Sequence, residues 1–463
     1  MSLPDGPKGP KLWQMLQWIA TPISFMRRCR KRYGDQFTVN LARALPPIVF
    51  FSDPKALQTI LTSDESELFD APGELNVMLQ PLLGTQSLMA LSGDPHRRMR
   101  QLLLPSFHGE RMRSYGQLIQ GIAEDVMGEW QTGQPFAVRK AMQKISLRVI
   151  LRAVFGLNEG ARYQELERLL GSLLDELSNP ASVSALYFSV LRKDLGPITP
   201  WGRFVRSRQQ IDRLVFDEIA ERRAHPDDSR NDILTMLMSA RDEAGDRLKE
   251  QELRDELMTM LVAGHETTAT ALAWALHWIH KSPPVRKQLI DELQSVEDLM
   301  DPGVLFRLPY LNAVCSETLR ICPVGMLTFP RVTRSQVELM GSSLDPGTVV
   351  AGCIYLAHHR EEVYPDPDAF RPERFLERRY SAYEYLPFGG GARRCIGMAF
   401  AQFEMKIVLS TVLLGVELAQ FGSSSVRLVR RGLTSGPSPF RMVVKERRPR
   451  MFAPAAGSAI DRV

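Results

Sequence analysis

The sequence predicts a mainly α protein with small β-sheets, on three observations. Mostly helical patterning runs from Tyr115 to about Arg241, with breaks at Phe155-Gly156, Asn179-Pro180 and Gly196-Pro197 and an exposed turn at Pro226-Asp227-Asp228-Ser229. A second stretch, Leu253 to Lys281, holds about 29 residues without proline, the length of a helix through a large protein. Strand patterning is confined to short runs, at Gln36–Leu41, Pro47–Ser52, between 323 and 355, and in a β pair within Val426–Lys445. No linker-like composition divides the chain. One domain over residues 31–445 is expected, with a leader at 1–30 and a flexible tail at 446–463.

The elements follow in order. A Pro/Gly leader is followed by a helical pattern ending near Gly34. Asp53-Pro54 then opens a helix, cap residue first and proline at the first helical position, ending near Thr62. Residues 63–92 read as an irregular loop rich in large apolar groups, a wall over a binding cavity. From Gly93 a basic helix places His96 and Arg100 on one face. Residues 178–200 mix breakers with large apolar side chains and read as a second lid. Helices at Pro284–Val296 and Tyr310–Ile321 follow, the second carrying Glu317 and Arg320 three apart, able to pair.

Composition narrows the function classes. The chain has 463 residues, 44% hydrophobic and 24% charged, ordinary values for a globular protein. A net charge of +5 falls short of a nucleic-acid binder, so no nucleic-acid partner is expected. The five cysteines (Cys29, Cys315, Cys322, Cys353 and Cys395) are odd in number, scattered and without zinc-ligand spacing, which points to a reducing compartment. Leu12 to Met26 is broken by Gln14, Gln17, Pro22 and Ser24, too short and polar to span a bilayer. It either lies on a membrane surface or packs on the protein's own body. The expected setting is cytoplasmic, with peripheral membrane contact open, and the expected state is a monomer.

Two stretches carry chemistry. Pro387-Phe388-Gly389-Gly390-Gly391-Ala392-Arg393-Arg394-Cys395-Ile396-Gly397 puts three glycines and two arginines before a single cysteine, and a helix from Met398 to Leu414 follows. The glycines let backbone approach a flat or charged partner. A cysteine at a helix entrance, beside arginines, is favoured as a thiolate. Such a thiolate is a metal or haem ligand or a nucleophile; the unspecialised reading is a buried structural cysteine. The second stretch is His265-Glu266-Thr267-Thr268 inside the apolar long helix. Buried polar groups need partners. Thr267 is placed to bond back to the carbonyl of Ala263, loosening the helix and presenting an acid and an alcohol.

These motifs together resemble the cytochrome P450 family of haem-thiolate monooxygenases. The family's Phe-x-x-Gly-x-Arg-x-Cys-x-Gly is matched by Phe388, Gly391, Arg393, Cys395 and Gly397. Its Ala-Gly-x-Asp/Glu-Thr-Thr is matched by Ala263, Gly264, Glu266, Thr267 and Thr268, and its Glu-x-x-Arg by Glu317 and Arg320, completed by Arg374. The order agrees over about residues 30–445. The resemblance implies a triangular helical body, with haem b between the long helix and the cysteine-loop helix. Cys395 would be the axial iron ligand, tuned by loop N–H groups. Glu266 and Thr267 would relay protons for dioxygen activation. His96, Arg100, Arg331 and Arg393 would bind the haem propionates; many members carry tryptophan where this chain has His96. Glu317, Arg320 and Arg374 would brace the cysteine loop.

The same resemblance implies electrons from a ferredoxin- or flavodoxin-type donor with its NAD(P)H reductase, since the chain stops soon after the haem domain. Arg97, Arg98, Arg111, Arg113, Arg394 and Lys406 are candidates for a basic docking face. Apolar walls from Phe69, Met78, Leu82, Phe188, Ala263, Met326, Leu327 and Phe329 imply a lipophilic substrate: a fatty acid, alkane, or terpenoid or retinoid-like molecule. The His-Glu-Thr-Thr stretch is most similar to fatty-acid and microsomal-type members. Rival readings are a haem-thiolate peroxygenase, a lipid-peroxide isomerase, and a non-catalytic haem or lipid sensor. The first two need no proton relay, and the intact Glu266-Thr267 pair argues against them.

Overall fold

The structure, a computed structural model, describes residues 3–448 apart from 42–45, 64–66, 108–110, 158, 178–191, 228, 297–301, 423–424 and 432–433. Phe188, most of the predicted second lid and most of the tail lie outside the described residues.

The leader folds as two helices, α1 (Lys11–Ala20) and α2 (Pro22–Tyr33). Sequence periodicity reads as one helix here. Pro22 separates them: proline is accommodated at the first position of α2, where no intrahelical N–H is needed. Helix α3 (Pro54–Thr62) starts as predicted, with the Asp53 carboxylate accepting from the N–H groups of Lys55 and Ala56 at 2.9 and 3.1 Å.

Five strands form the main sheet: β1 (Gln36–Val39), β2 (Ile48–Phe51), β3 (Phe69–Asp70), β5 (Arg331–Thr333) and β8 (Val349–Gly352), in the order β1-β2-β8-β5-β3. Strand β2 pairs parallel to β8, Ile48 against Val349, and antiparallel to β1. It is covered on both faces, which explains its unbroken apolar run Ile48-Val49-Phe50-Phe51. A second sheet joins β4 (Pro135–Ala137), β12 (Arg441–Arg447) and β9 (Val416–Phe421). Two hairpins complete the β structure, β6 (Val337–Leu339) with β7 (Ser342–Leu344) and β10 (Leu428–Arg431) with β11 (Thr434–Pro437).

The helical body is built on the long helix, Glu250–Lys281, which packs along helix Val138–Phe155. Gly264 permits that contact, since a Cβ there would meet Ile150 Cδ1 at 2.8 Å. Helix Met398–Gly415, after the cysteine loop, packs against the long helix and helix Arg111–Gly128. Among the described residues it is the one helix long and apolar enough to cross a membrane, but it is mostly buried among other helices. Residues 67–92, read as irregular, hold β3, a 3₁₀ segment at Gly73–Leu79 and a short helix at Gln80–Leu83. The segment is pinned back on itself: Asn76 Nδ2 donates to the carbonyl of Met89, and Gly73 N–H to Ser92 Oγ.

Candidate active site

The cysteine loop is folded by its glycines. Gly389 and Gly391 hold φ of 67° and 65°, values that side-chain-bearing residues rarely adopt. Those turns allow the Cys395 N–H to reach the Phe388 carbonyl at 2.9 Å and close the loop. Cys395 then sits just before helix Met398–Gly415, and the Gly397 N–H donates to its sulfur.

Cys395 is exposed, whereas Cys29, Cys315, Cys322 and Cys353 are buried. Burial of the sulfur is nonetheless the largest influence on its thiol and pushes the pKa up. The Gly397 N–H, Arg100 and Arg394 pull it back without prevailing. This corrects the expectation of a self-sustaining thiolate: helix position and arginines do not outweigh desolvation. Arg393, expected to help ionise the sulfur, turns elsewhere. Its guanidinium donates to the carbonyls of Ala71, Leu88 and Leu91, tying the loop to the segment before the basic helix.

Four predicted cation carriers converge. His96 and Arg331 are buried, and Arg393 nearly so. Arg331 donates to the carbonyls of Phe329 and Gly390 at 2.6 and 3.0 Å, and Arg100 to that of Arg394 at 2.8 Å. Burial first, then the positive charges of Arg393, Arg100, Arg331 and Arg97, pushes the His96 pKa down to about 3. The imidazole is therefore neutral in a nest of guanidinium groups. Such a nest next to an accessible cysteine fits a flat cofactor carrying a metal at its centre and carboxylates at its edge.

The long helix opens a gap in its own burial. Leu261 and His265 are 1% and 2% exposed, yet Ala263 between them is exposed and Thr267 half-buried. Thr267 Oγ1 donates to the Ala263 carbonyl at 2.5 Å, the back-bond predicted. Glu266 turns to another face. Its carboxylate accepts from Arg139 at 2.5 Å and from Gln143 at 2.8 Å, with Thr270 Oγ1 at 3.4 Å. The acid and alcohol are thus adjacent in sequence but about 100° apart around the helix. Arg139 and Gln143 were not foreseen. Their four-residue spacing, one helical face, is the only trace they leave in the sequence.

Behind the loop, Glu317, Arg320 and Arg374 are 0–1% exposed. Arg320 forms a fork on Glu317 at 2.7 and 2.8 Å, while Arg374 Nε and the Arg371 N–H reach the same carboxylate at 3.1 and 2.9 Å. Arg320 also donates to the carbonyl of His358 at 2.8 Å, and His358 Nε2 accepts the Leu386 N–H at 2.9 Å. Leu386 lies two residues before Phe388. His358, unnoticed in the sequence, links the ion cluster to the cysteine loop. Acceptance at Nε2 puts its proton on Nδ1, 3.2 Å from the Arg320 carbonyl.

The predicted pocket residues divide. A cavity of about 370 Å³ is lined by Met78, Met326, Leu327 and Phe329. Phe69 and Leu82 are not on it: Phe69 packs in the sheet core with Val49 and Phe51, and Leu82 in the helical core. Ala263 faces the gap in the long helix rather than this cavity. The predicted docking face also loses members. Arg98 pairs with Asp242 at 2.5 Å and Glu252 at 3.0 Å. Lys406 is buried with its ammonium 3.7 Å from the centre of the Phe306 ring. Arg97 pairs with Asp94, Arg394 is exposed, and the side chains of Arg111 and Arg113 lie outside the described residues.

Comparison with known proteins places these features. A cytochrome P450 family profile matches residues 4–443. Cytochrome P450 135B1 of Mycobacterium tuberculosis is 38% identical over 429 residues, covering 92% of this chain and 88% of that protein. Cytochrome P450 138 of Mycobacterium bovis is 33% identical over 453 residues, covering 96% and 97%. Among solved structures, retinoic acid bound cyanobacterial CYP120A1 gives a TM-score of 0.82 at 24% identity, covering 96% of this chain and all of that one. The cytochrome P450DA haem domain gives 0.81 at 23%, covering 96% and 98%. These two likenesses show the fold.

Proposed function

The chain belongs to the cytochrome P450 family, and from that premise we propose that it oxidises a lipophilic small molecule, with Glu266 and Thr267 handling protons and a separate electron donor supplying reducing equivalents. The family makes it a haem-thiolate monooxygenase with cysteine-ligated haem b. Bound haem supplies one-electron chemistry and dioxygen activation at its iron. The chain's residues would do the rest. Cys395 is the candidate iron ligand, its sulfur supported by the Gly397 N–H. His96, Arg100, Arg331 and Arg393 are the candidate partners for the propionates, with Phe388 of the loop packed against the helical core.

The observation that carries the proton-handling reading is Thr267 back-bonded to Ala263 within an otherwise buried helix. The hydroxyl proton is committed to the Ala263 carbonyl, so the oxygen's lone pairs remain to accept a hydrogen bond from the cleft. Glu266 sits in a polar recess with Arg139 and Gln143, from which it can exchange protons with water. In Thr267→Ala, NAD(P)H oxidation is expected to continue while product per electron pair falls roughly tenfold or more and hydrogen peroxide accounts for the difference. Assays of peroxide and product with a surrogate ferredoxin system check this; unchanged coupling would favour a peroxygenase.

The electron donor is proposed as a ferredoxin- or flavodoxin-type protein. Among the described residues, exposed Arg394 and Arg97 remain as candidates for its docking. Peripheral membrane contact is proposed at α1, whose outward face exposes Leu12, Trp13 and Leu16 at 63%, 57% and 46%. Sedimentation with phospholipid vesicles should be lost in a Leu12→Ser, Trp13→Ser, Leu16→Ser variant. Equal sedimentation of variant and wild type would exclude contact through this face.

A further inference from the structure

Residues 84–91 are bonded both to the long helix and to the cysteine loop. On the long-helix side, the Gln86 N–H donates to Asp255 Oδ2 at 2.9 Å and the Leu88 N–H to Glu256 Oε1. Between them, Ser87 Oγ and Thr259 Oγ1 are 2.7 Å apart. The approach is close: Gly84 holds φ of 95°, and a Cβ there would lie 2.1 Å from the Asp255 carboxylate. Asp255 and Glu256 are both fully buried, but their surroundings differ. Asp255 has a cation, Arg254 at 2.9 Å, and an amide, Gln251 Nε2 at 2.7 Å. The groups acting on Glu256 are the Leu88 N–H and two carboxylates, Asp255 and Glu252, the latter paired with Arg98 at 3.0 Å. Burial, the largest influence, pushes the Glu256 pKa well above the usual carboxylate range. A neutral acid accepts from Leu88 without leaving a lone charge in the core.

Leu88 passes this contact on. Its carbonyl accepts from Arg393 Nη1 at 2.9 Å, and the same guanidinium is committed to the carbonyls of Leu91 and Ala71. Arg393 ends the 3₁₀ turn Gly391–Arg393, two residues before Cys395, whose N–H closes the loop on the Phe388 carbonyl. Leu88 and Arg393 are themselves buried. One short, desolvated line of hydrogen bonds therefore runs from the long helix through a single residue, Leu88, to the turn that presents the sulfur. The Glu317 cluster reaches the loop from the opposite end, through His358 and Leu386.

We propose that Glu256 is a positioning residue for Cys395: by holding the Leu88 N–H it fixes the carbonyl on which Arg393 rests, and so sets the loop against the long helix. The proposal rests on the reading of Cys395 as iron ligand above and adds a second, independent anchor for that ligand. A residue that merely secured residues 84–91 would act on that segment and leave the cysteine loop unchanged.

The test follows two readouts in the holoenzyme: the rate at which the red-shifted Soret band of the reduced, CO-treated protein decays, and hydrogen exchange at the Cys395 amide. Glu256→Met keeps the length of the side chain but removes the acceptor. It should speed both by about tenfold, the effect of leaving one buried N–H unmet. Glu256→Gln keeps an uncharged acceptor in place and should stay within about twofold of wild type. Glu256→Asp withdraws the acceptor by one methylene and should fall between. Arg393→Lys gives up the three-carbonyl clamp, so adding Glu256→Met to it should change either rate by no more than about twofold. A Glu256→Met protein that decays like wild type, faster exchange confined to Leu88, or effects that multiply in the double variant would each overturn the proposal. If Glu256→Met yields no folded holoenzyme, Glu256→Asp decides by the same criteria. A wild-type protein without the red-shifted band would remove the Cys395 assignment and the proposal with it, whereas the other adverse results remove the proposal alone.

Discussion

Cys395→Ser is expected to abolish monooxygenase turnover and the red-shifted Soret band that thiolate ligation gives the reduced, CO-treated protein. The expectation follows from the balance of forces at the sulfur. Burial raises the thiol pKa, and one backbone N–H with two arginines does not offset it. Cys395 as ligand would gain the missing positive charge from a bound ferric iron, which would favour the thiolate. Serine would present an alcohol whose ionisation is far harder, in the same desolvated cleft. The cations around His96 stay in place, so the variant should still bind haem, more weakly. Absorption spectra of wild type and variant decide the matter. A wild-type protein lacking the red-shifted band would sink the assignment of Cys395 as ligand.

Glu317→Ala should be the most damaging change away from the cleft. It leaves the Arg320 and Arg374 guanidiniums at 0–1% exposure without their shared carboxylate. Breaking a buried ion cluster in this way costs about 3–5 kcal/mol. That is a large share of the roughly 5–15 kcal/mol by which a folded domain exceeds its unfolded state. The loss should spread along Arg320, His358 and Leu386 to the cysteine loop, so haem occupancy should fall along with the melting temperature. Glu317→Gln keeps the shape and two polar atoms, and its loss should be smaller. Denaturant titration and haem-to-protein ratio are the measurements. A Glu317→Ala protein within about 1 kcal/mol of wild type, a size typical of exposed pairs, would reduce the cluster to an ordinary ion pair.

Features that depend on neighbours within a few residues were legible in the chain. Asp53 caps α3 because the acceptor and both donors lie within three residues. Thr267 bonds Ala263 because a helix brings i and i−4 together. The glycine turns around Cys395 and the fork between Glu317 and Arg320 are local in the same sense, and these two, with Thr267, sit in the motifs that carried the family resemblance.

Choices between faces were not legible. Lys406 looked like a surface cation but is buried against Phe306, because a helix through the core has no solvent face there. Phe69 looked like a cavity wall and is sheet core, because pairing of β3 with β5 turns it inward. Arg393 sits two residues from the cysteine it was expected to ionise, yet the 3₁₀ turn aims it at carbonyls some three hundred residues away in sequence. Nothing local marks Arg139 as the partner of Glu266, 127 residues apart, or Arg430 as a cation on the wall lined by Trp18.

The sequence alone therefore determined the chemistry of the centre: a cysteine in a glycine-built loop, a back-bonded threonine in a buried helix, and a carboxylate forked by the arginine three residues on. Each is set by hydrogen bonds and backbone angles within one or two turns of chain. Tertiary structure alone decided the electrostatic state of the sulfur, the face on which Glu266 waits, and which arginine reaches the cavity. Those depend on desolvation and on strand and helix orientation, which arise only when distant segments pack.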